Sequence, residues 1–181
     1  MGRDKATLIA EGMTLSVRAG QMLERVVDVA VEVGPGVSGL RATWEDPRGE
    51  GPLAAVAAGW DVLGGSGHLG AALVLACDLP FVSEALLRML ATWDSDGSVV
   101  PVVQGRPQPL CARWGHDDLD DAVQLAHAGE RSLRHLAVRP GVVLLTESAW
   151  SEVAEEREFA DVDSPDDLRR LGLWPSSGPG S

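Results

Sequence analysis

The chain has 181 residues, enough for one domain with a substantial core, and 45% of them are hydrophobic. Its 27 acidic and 15 basic residues leave a net charge of −12, which argues against a broad nucleic-acid-binding surface but allows a local cationic pocket. Two isolated cysteines, Cys77 and Cys111, exclude a disulfide framework or a thiolate metal cluster; no signal peptide is visible and no apolar run reaches the ~20 residues of a membrane helix, so a cytoplasmic location is the default expectation.

The first residues, Gly2-Arg3-Asp4-Lys5, put two cations beside a glycine. They are either an ordinary solvated terminus or part of a phosphate-binding turn, in which lysine acts as a point charge and arginine as a planar fork. Helical spacing of Leu15, Arg18, Ala19, Met22 and Leu23 predicts a helix over 15–25, and the β-branched run VVDVAVEV predicts a strand over 26–33. Gly49, Gly51 and Pro52 form a tight turn into a helix over 52–63, whose start is able to offer backbone N–H groups to an anion or a polar base. AALVLAC, residues 71–77, is the kind of apolar run expected of a strand covered on both faces.

Asp78 ends that strand. A carboxylate there faces the crevice in which open α/β sheets hold ligands. One such oxygen donor is enough to anchor a Mg²⁺ that keeps waters and substrate phosphates in its shell; a loop or helix cap is the competing explanation. Ser83 starts a helix over 83–93. SVVPVVQG and RPQPLCARW read as short strands, and their prolines make them poor central antiparallel strands. Further helices are expected over 117–127 and 132–136, and a strand over 141–145. Ser164-Pro165-Asp166-Asp167 is a complete helix start. Just before it, Asp161 and Asp163 are two apart, so an extended segment puts both on one face, where either completes a metal shell or simply leads into the cap. The histidines show no ligand spacing. Strands alternating with helices predict an α/β fold with a largely parallel sheet and helices on both faces.

Four stretches in this order resemble the molybdenum cofactor guanylyltransferases, the molybdopterin-guanine dinucleotide biosynthesis protein A family. MGRDKATL is similar to the end of their LAGGxSxRMGxDK turn, GEGPLAAVAAG to GxGPLxGxxxG, LVLACDLPFV to the metal-binding strand end, and FADVDSPDDL to N-x-N-T-P-E-D-L. The resemblance covers residues 1 to about 172 and implies a three-layer α/β/α Rossmann-like nucleotidyltransferase domain over 1–173; the biased composition of the PSSGPGS end makes 174–181 read as a disordered tail. It implies that Lys5 contacts phosphate, with Arg3 in the variable slot of the turn beside it as a further nucleotide-binding candidate, that Asp78 binds Mg²⁺ with Asp161 or Asp163, and that Gly51, Pro52, Leu53 and Asp46 lie near the base and ribose. The implied reaction transfers GMP from GTP to molybdopterin. Transient docking to cofactor carriers or molybdoenzyme apoproteins is the implied partnership, with no nucleic acid or membrane. Asp161 and Asp163 stand where the family commonly has asparagines and where related cytidylyltransferases often carry DxDTP; a related nucleotidyltransferase with another nucleotide or acceptor is the enzymatic alternative, and an interaction role in cofactor delivery the non-enzymatic one. The resemblance also implies a first strand and a glycine pair upstream of Met1. Without them the chain is expected to be marginally stable and catalytically poor, and an in-frame segment ending Gly-Gly-x-Ser-x-Arg is expected upstream.

Overall fold

The computed structural model describes residues 7–67 and 70–173; Arg3, Lys5 and the tail at 174–181 lie outside them. A small hairpin of β1 (Ile9–Ala10) and β2 (Met13–Thr14) leads into α1 (Leu15–Glu24). Thr14 caps that helix by accepting the Val17 N–H at 3.3 Å. Next come β3 (Val31–Val33) and β4 (Arg41–Thr43), paired in parallel, then α2 (Pro52–Gly64) and β5 (Ala72–Leu75). The strand expected over 26–33 is shorter than its apolar run. The N–H groups of Val26 and Val27 turn back to the Leu23 carbonyl, at 2.8 and 3.0 Å, and so extend the end of α1.

The second half contains α3 (Glu84–Thr92), β6 (Val99–Val103), β7 (Arg106–Pro107), β8 (Cys111–Trp114) and α4 (His116–His127). It closes with α5 (Arg134–Ala137), β9 (Val143–Leu145), α6 (Glu147–Trp150), a 3-10 turn at Glu156–Phe159 and α7 (Pro165–Arg170). β5, β8, β6 and β7 are neighbours in that order, and β9 pairs with β6. The expectation of a largely parallel sheet needs correcting. β5–β8, β6–β8 and β6–β7 are antiparallel; among the described residues parallel pairing is confined to β6–β9 and β3–β4. The reason is the connection: β6 returns through the tight turn at Gln104 and Gly105 directly into β7 and β8, whereas β9 is reached only after α4 and α5.

Pro101 does not push β6 to an edge, contrary to the expectation from its sequence. β6 lies between β8 and β9, and the Pro101 carbonyl accepts the Gln108 N–H at 2.8 Å, so the ring removes one donor while the acceptor stays engaged. The two sheet faces carry separate cores. Ala72 and Val74 of β5 pack with Leu53, Val56 and Trp60 of α2 and Leu119 of α4. Leu73 and Leu75 pack with Leu86, Leu87 and Leu90 of α3 and with Met22 and Leu23 of α1. This alternation makes three layers, and it places the residue after β5 at the end of the middle one.

Candidate functional site

β5 delivers Asp78 to the mouth of a 340 Å³ cavity that is also lined by Ser16, Glu32, Pro52 and Cys77. Two neighbours fix the loop that carries it. The Val162 N–H donates to the Asp78 carbonyl at 2.9 Å, and Arg18 Nε donates to the Pro80 carbonyl at 2.7 Å. The first of these bonds ties the segment at 161–163 directly to Asp78. Val162 is fully buried while Asp161 and Asp163 on either side are exposed, so the two-residue spacing does put both carboxylates on one face. The Asp163 N–H is held by Asp167 at 3.2 Å, just before the Ser164 cap of α7.

The turn at 51–53 is built against a different neighbour. Gly51 has φ 98° and ψ 179°, a backbone conformation essentially reserved for glycine, and a Cβ there would meet the Arg131 carbonyl oxygen at 2.9 Å. The Leu53 N–H donates to that same carbonyl at 3.2 Å, and Arg131 pairs with Glu50 at 2.6 Å. Pro52 lines the Asp78 cavity. The Leu53 side chain is fully buried in the core and its N–H is engaged, so it positions the turn rather than offering a donor. Asp46 is not brought to Asp78. It lines a second, wider groove with Trp44, Glu45, Glu50 and Asp61, where the Arg48 guanidinium stacks over the Trp44 ring at 3.9 Å.

Glu32 was not singled out by sequence reasoning. Its carboxylate accepts backbone N–H groups from Gly36, Val37 and Ser38 at 2.8, 3.2 and 2.8 Å and thereby closes the loop after β3 beside the cavity. Burial pushes this carboxyl up, but the Ser38 side chain and the three backbone donors outweigh it and hold it below the ordinary carboxylate range. A glutamate followed at four residues by the second glycine of GPG was the available signal.

The oxygen donors near the cavity mouth are carboxylates, the hard ligands that Mg²⁺ takes. Among the described residues no group of three or more His, Cys, Asp or Glu side chains stands close enough to hold a metal by itself. No described helix is long and apolar enough to cross a membrane.

A family model described as the MobA-like NTP transferase domain matches residues 1–141. A probable molybdenum cofactor guanylyltransferase of Bacillus cytotoxicus is 25% identical over 126 residues, 68% of this chain and 60% of that protein. A protein of the same description from Chloroflexus aggregans is 29% identical over 147 residues, 74% of this chain and 65% of that protein. The chain thus spans 60–65% of the length of these curated relatives. Among solved structures, molybdopterin-guanine dinucleotide biosynthesis protein A from Archaeoglobus fulgidus superimposes with a TM-score of 0.70 at 23% identity, covering 94% of this chain and 91% of that one. A Methanothermobacter nucleotidyl transferase gives 0.67 at 21% identity, covering 92% and 82%. These likenesses establish a Rossmann-like nucleotidyltransferase fold.

Proposed function

This chain belongs to the MobA-like NTP transferase domain family, and from that premise we propose that it transfers GMP from GTP to molybdopterin, releasing pyrophosphate. The observation that carries the reading is the meeting of Asp78, at the end of β5, with the segment bearing Asp161 and Asp163. An oxygen of the pterin's terminal phosphate forms a bond to the α-phosphorus of GTP, and the bond from that phosphorus to the bridging oxygen breaks. The nucleophile is already ionised near neutral pH, so no side chain has to remove a proton.

What remains for the protein is to align two anions and offset their repulsion. Asp78, with Asp161 or Asp163, would hold a Mg²⁺ that neutralises developing phosphate charge when bound. Lys5 and Arg3, which lie outside the described residues, supply positive charge to the triphosphate in this reading. Gly51 and Pro52 set the turn facing base and ribose.

A second reading is favoured by one observation: Asp161 and Asp163 stand where guanylyltransferases carry asparagines, and cytidylyltransferases for the same pterin carry aspartates. Pyrophosphate release separates the two. With molybdopterin and Mg²⁺ present, GTP should support release and CTP should not, and Asp78→Ala should abolish it. Release with CTP alone would transfer the assignment to the cytidylyl reaction, and release unaffected by Asp78→Ala would reject the site.

A further inference from the structure

Beyond α4 the chain is held by its own backbone and one carboxylate. Gly129, at φ 87°, reverses the direction of the chain; its N–H donates to the Ala126 carbonyl at 2.9 Å, and the Glu130 N–H to the Leu125 carbonyl at 3.0 Å. A single carboxylate oxygen of Glu130, Oε1, then accepts both the Arg131 and the Ser132 N–H, at 2.8 and 2.9 Å. These two donors, that of Ser132 foremost, hold the Glu130 carboxyl below the ordinary carboxylate range, with a smaller contribution from His135. Leu133 anchors the far end in the same core as Leu53 and Val56. Residues 129–133 thus form a short strut fixed at both ends.

The strut bears on the turn before α2. The Arg131 carbonyl accepts the Leu53 N–H at 3.2 Å, and a Cβ on Gly51 would stand 2.9 Å from the same oxygen. The Arg131 side chain adds an ion pair to Glu50, but it is 64% exposed, where such pairs contribute little. The main-chain carbonyl is therefore the contact that locates the turn. That carbonyl and the Ser132 N–H belong to one planar peptide, so a carboxylate that grips the N–H on one side aims the C=O on the other. We propose that Glu130 is a positioning residue for the nucleotide: through the 131–132 peptide it holds the Gly51–Pro52 turn in the geometry that receives base and ribose, without touching the substrate itself. The nucleotide half of this inference rests on the assignment of that turn to base and ribose. Those groups do not react, so a displaced turn weakens binding and leaves the chemical step alone.

Glu130→Ala removes the acceptor, whereas Glu130→Gln keeps a carbonyl oxygen in its place. In pyrophosphate release from GTP with molybdopterin and Mg²⁺, Glu130→Ala should raise the KM for GTP about tenfold with kcat within about twofold, and Glu130→Gln should stay within about twofold of the parent in both. Hydrogen exchange followed by NMR should quicken about tenfold at the Leu53 amide in Glu130→Ala and stay unchanged at Val74 and Ala112, in the paired strands β5 and β8, with Tm within about 4 °C of the parent. Arg131→Met, which loses only the exposed ion pair, should match the parent. Unchanged Leu53 exchange in Glu130→Ala overturns the proposal, and so does an unchanged KM when the parent releases pyrophosphate. Glu130→Gln as impaired as Glu130→Ala would make charge the cause and overturn it as well. Arg131→Met raising KM as far as Glu130→Ala would put the guanidinium on the nucleotide, with the same consequence. A parent that releases no pyrophosphate from GTP would defeat the catalytic reading instead, and exchange at Leu53 would still decide whether Glu130 holds the turn.

Discussion

Arg113 on β8 is buried to 7% exposure, and its guanidinium fans over the loop between α3 and β6. It donates to the carbonyls of Ala91 at 3.3 Å, Trp93 at 3.0 Å, Ser95, and Gly97 at 2.9 Å. Burial lowers its pKa from the ordinary arginine value, against an opposing pull from Asp96. Arg113→Met keeps the apolar stem and removes every donor. Each carbonyl left without a partner costs about 1–3 kcal/mol, and water reaches this half-buried loop to recover part of that, so a net loss of about 3–4 kcal/mol is expected. For a domain of this length the loss corresponds to a fall in Tm of roughly 10 °C. Arg113→Lys offers three donors from a single point instead of a planar fork and should recover about half. Urea unfolding monitored by tryptophan fluorescence gives both values, with an unchanged m-value showing that the folded state keeps its extent. Arg113→Met within about 0.5 kcal/mol of the parent would refute the reasoning, because that is the range of an uninvolved surface substitution.

Glu32, with its carboxyl held below the ordinary range, adds stability that is complete above the unfolded pKa, near 4.3, and lost as pH falls through the folded value. Glu32→Gln should therefore flatten the acid limb of the stability profile below about pH 5 in urea melts at stepped pH. Gly51→Ala forces a Cβ against the Arg131 carbonyl oxygen at 2.9 Å in a glycine-only conformation and should cost about 1–3 kcal/mol, measured as a lower Tm. The Cys111 thiol, pushed up to about 12 by burial and by Glu158, should resist alkylation at pH 8 until the protein unfolds, whereas the half-buried Cys77 reacts in the native state. Mass spectrometry of the alkylated protein locates the label.

Helices were the most legible part of the sequence, because caps and periodicity act locally. Ser83 accepts the Leu86 N–H and Ser164 the Asp167 N–H, both at 3.2 Å, where the hydroxyls foretold helix starts. The strand content of VVDVAVEV was overstated because β-branching reports fit to a pleated surface, while the tertiary turn after α1 claims Val26 and Val27. Strand direction was misjudged from the alternation of elements, which does not register that β6, β7 and β8 are linked by short turns. For the site, the place of Asp78 at a strand end was readable from the apolar run before it. Its bond to Val162, 84 positions later in the sequence, was not, since nothing in the spacing encodes that contact. Asp46 looked close to the Gly51 turn because it is close in sequence, yet the chain folds it into the neighbouring groove.

The central claim is tested most directly by calorimetric titration of GTP and CTP, with and without Mg²⁺, into the chain and its Asp78→Asn variant. The account predicts Mg²⁺-dependent binding of GTP in preference to CTP, weakened about tenfold or more by Asp78→Asn. Binding of GTP that ignores both Mg²⁺ and Asp78→Asn, or no nucleotide binding at all, would contradict it.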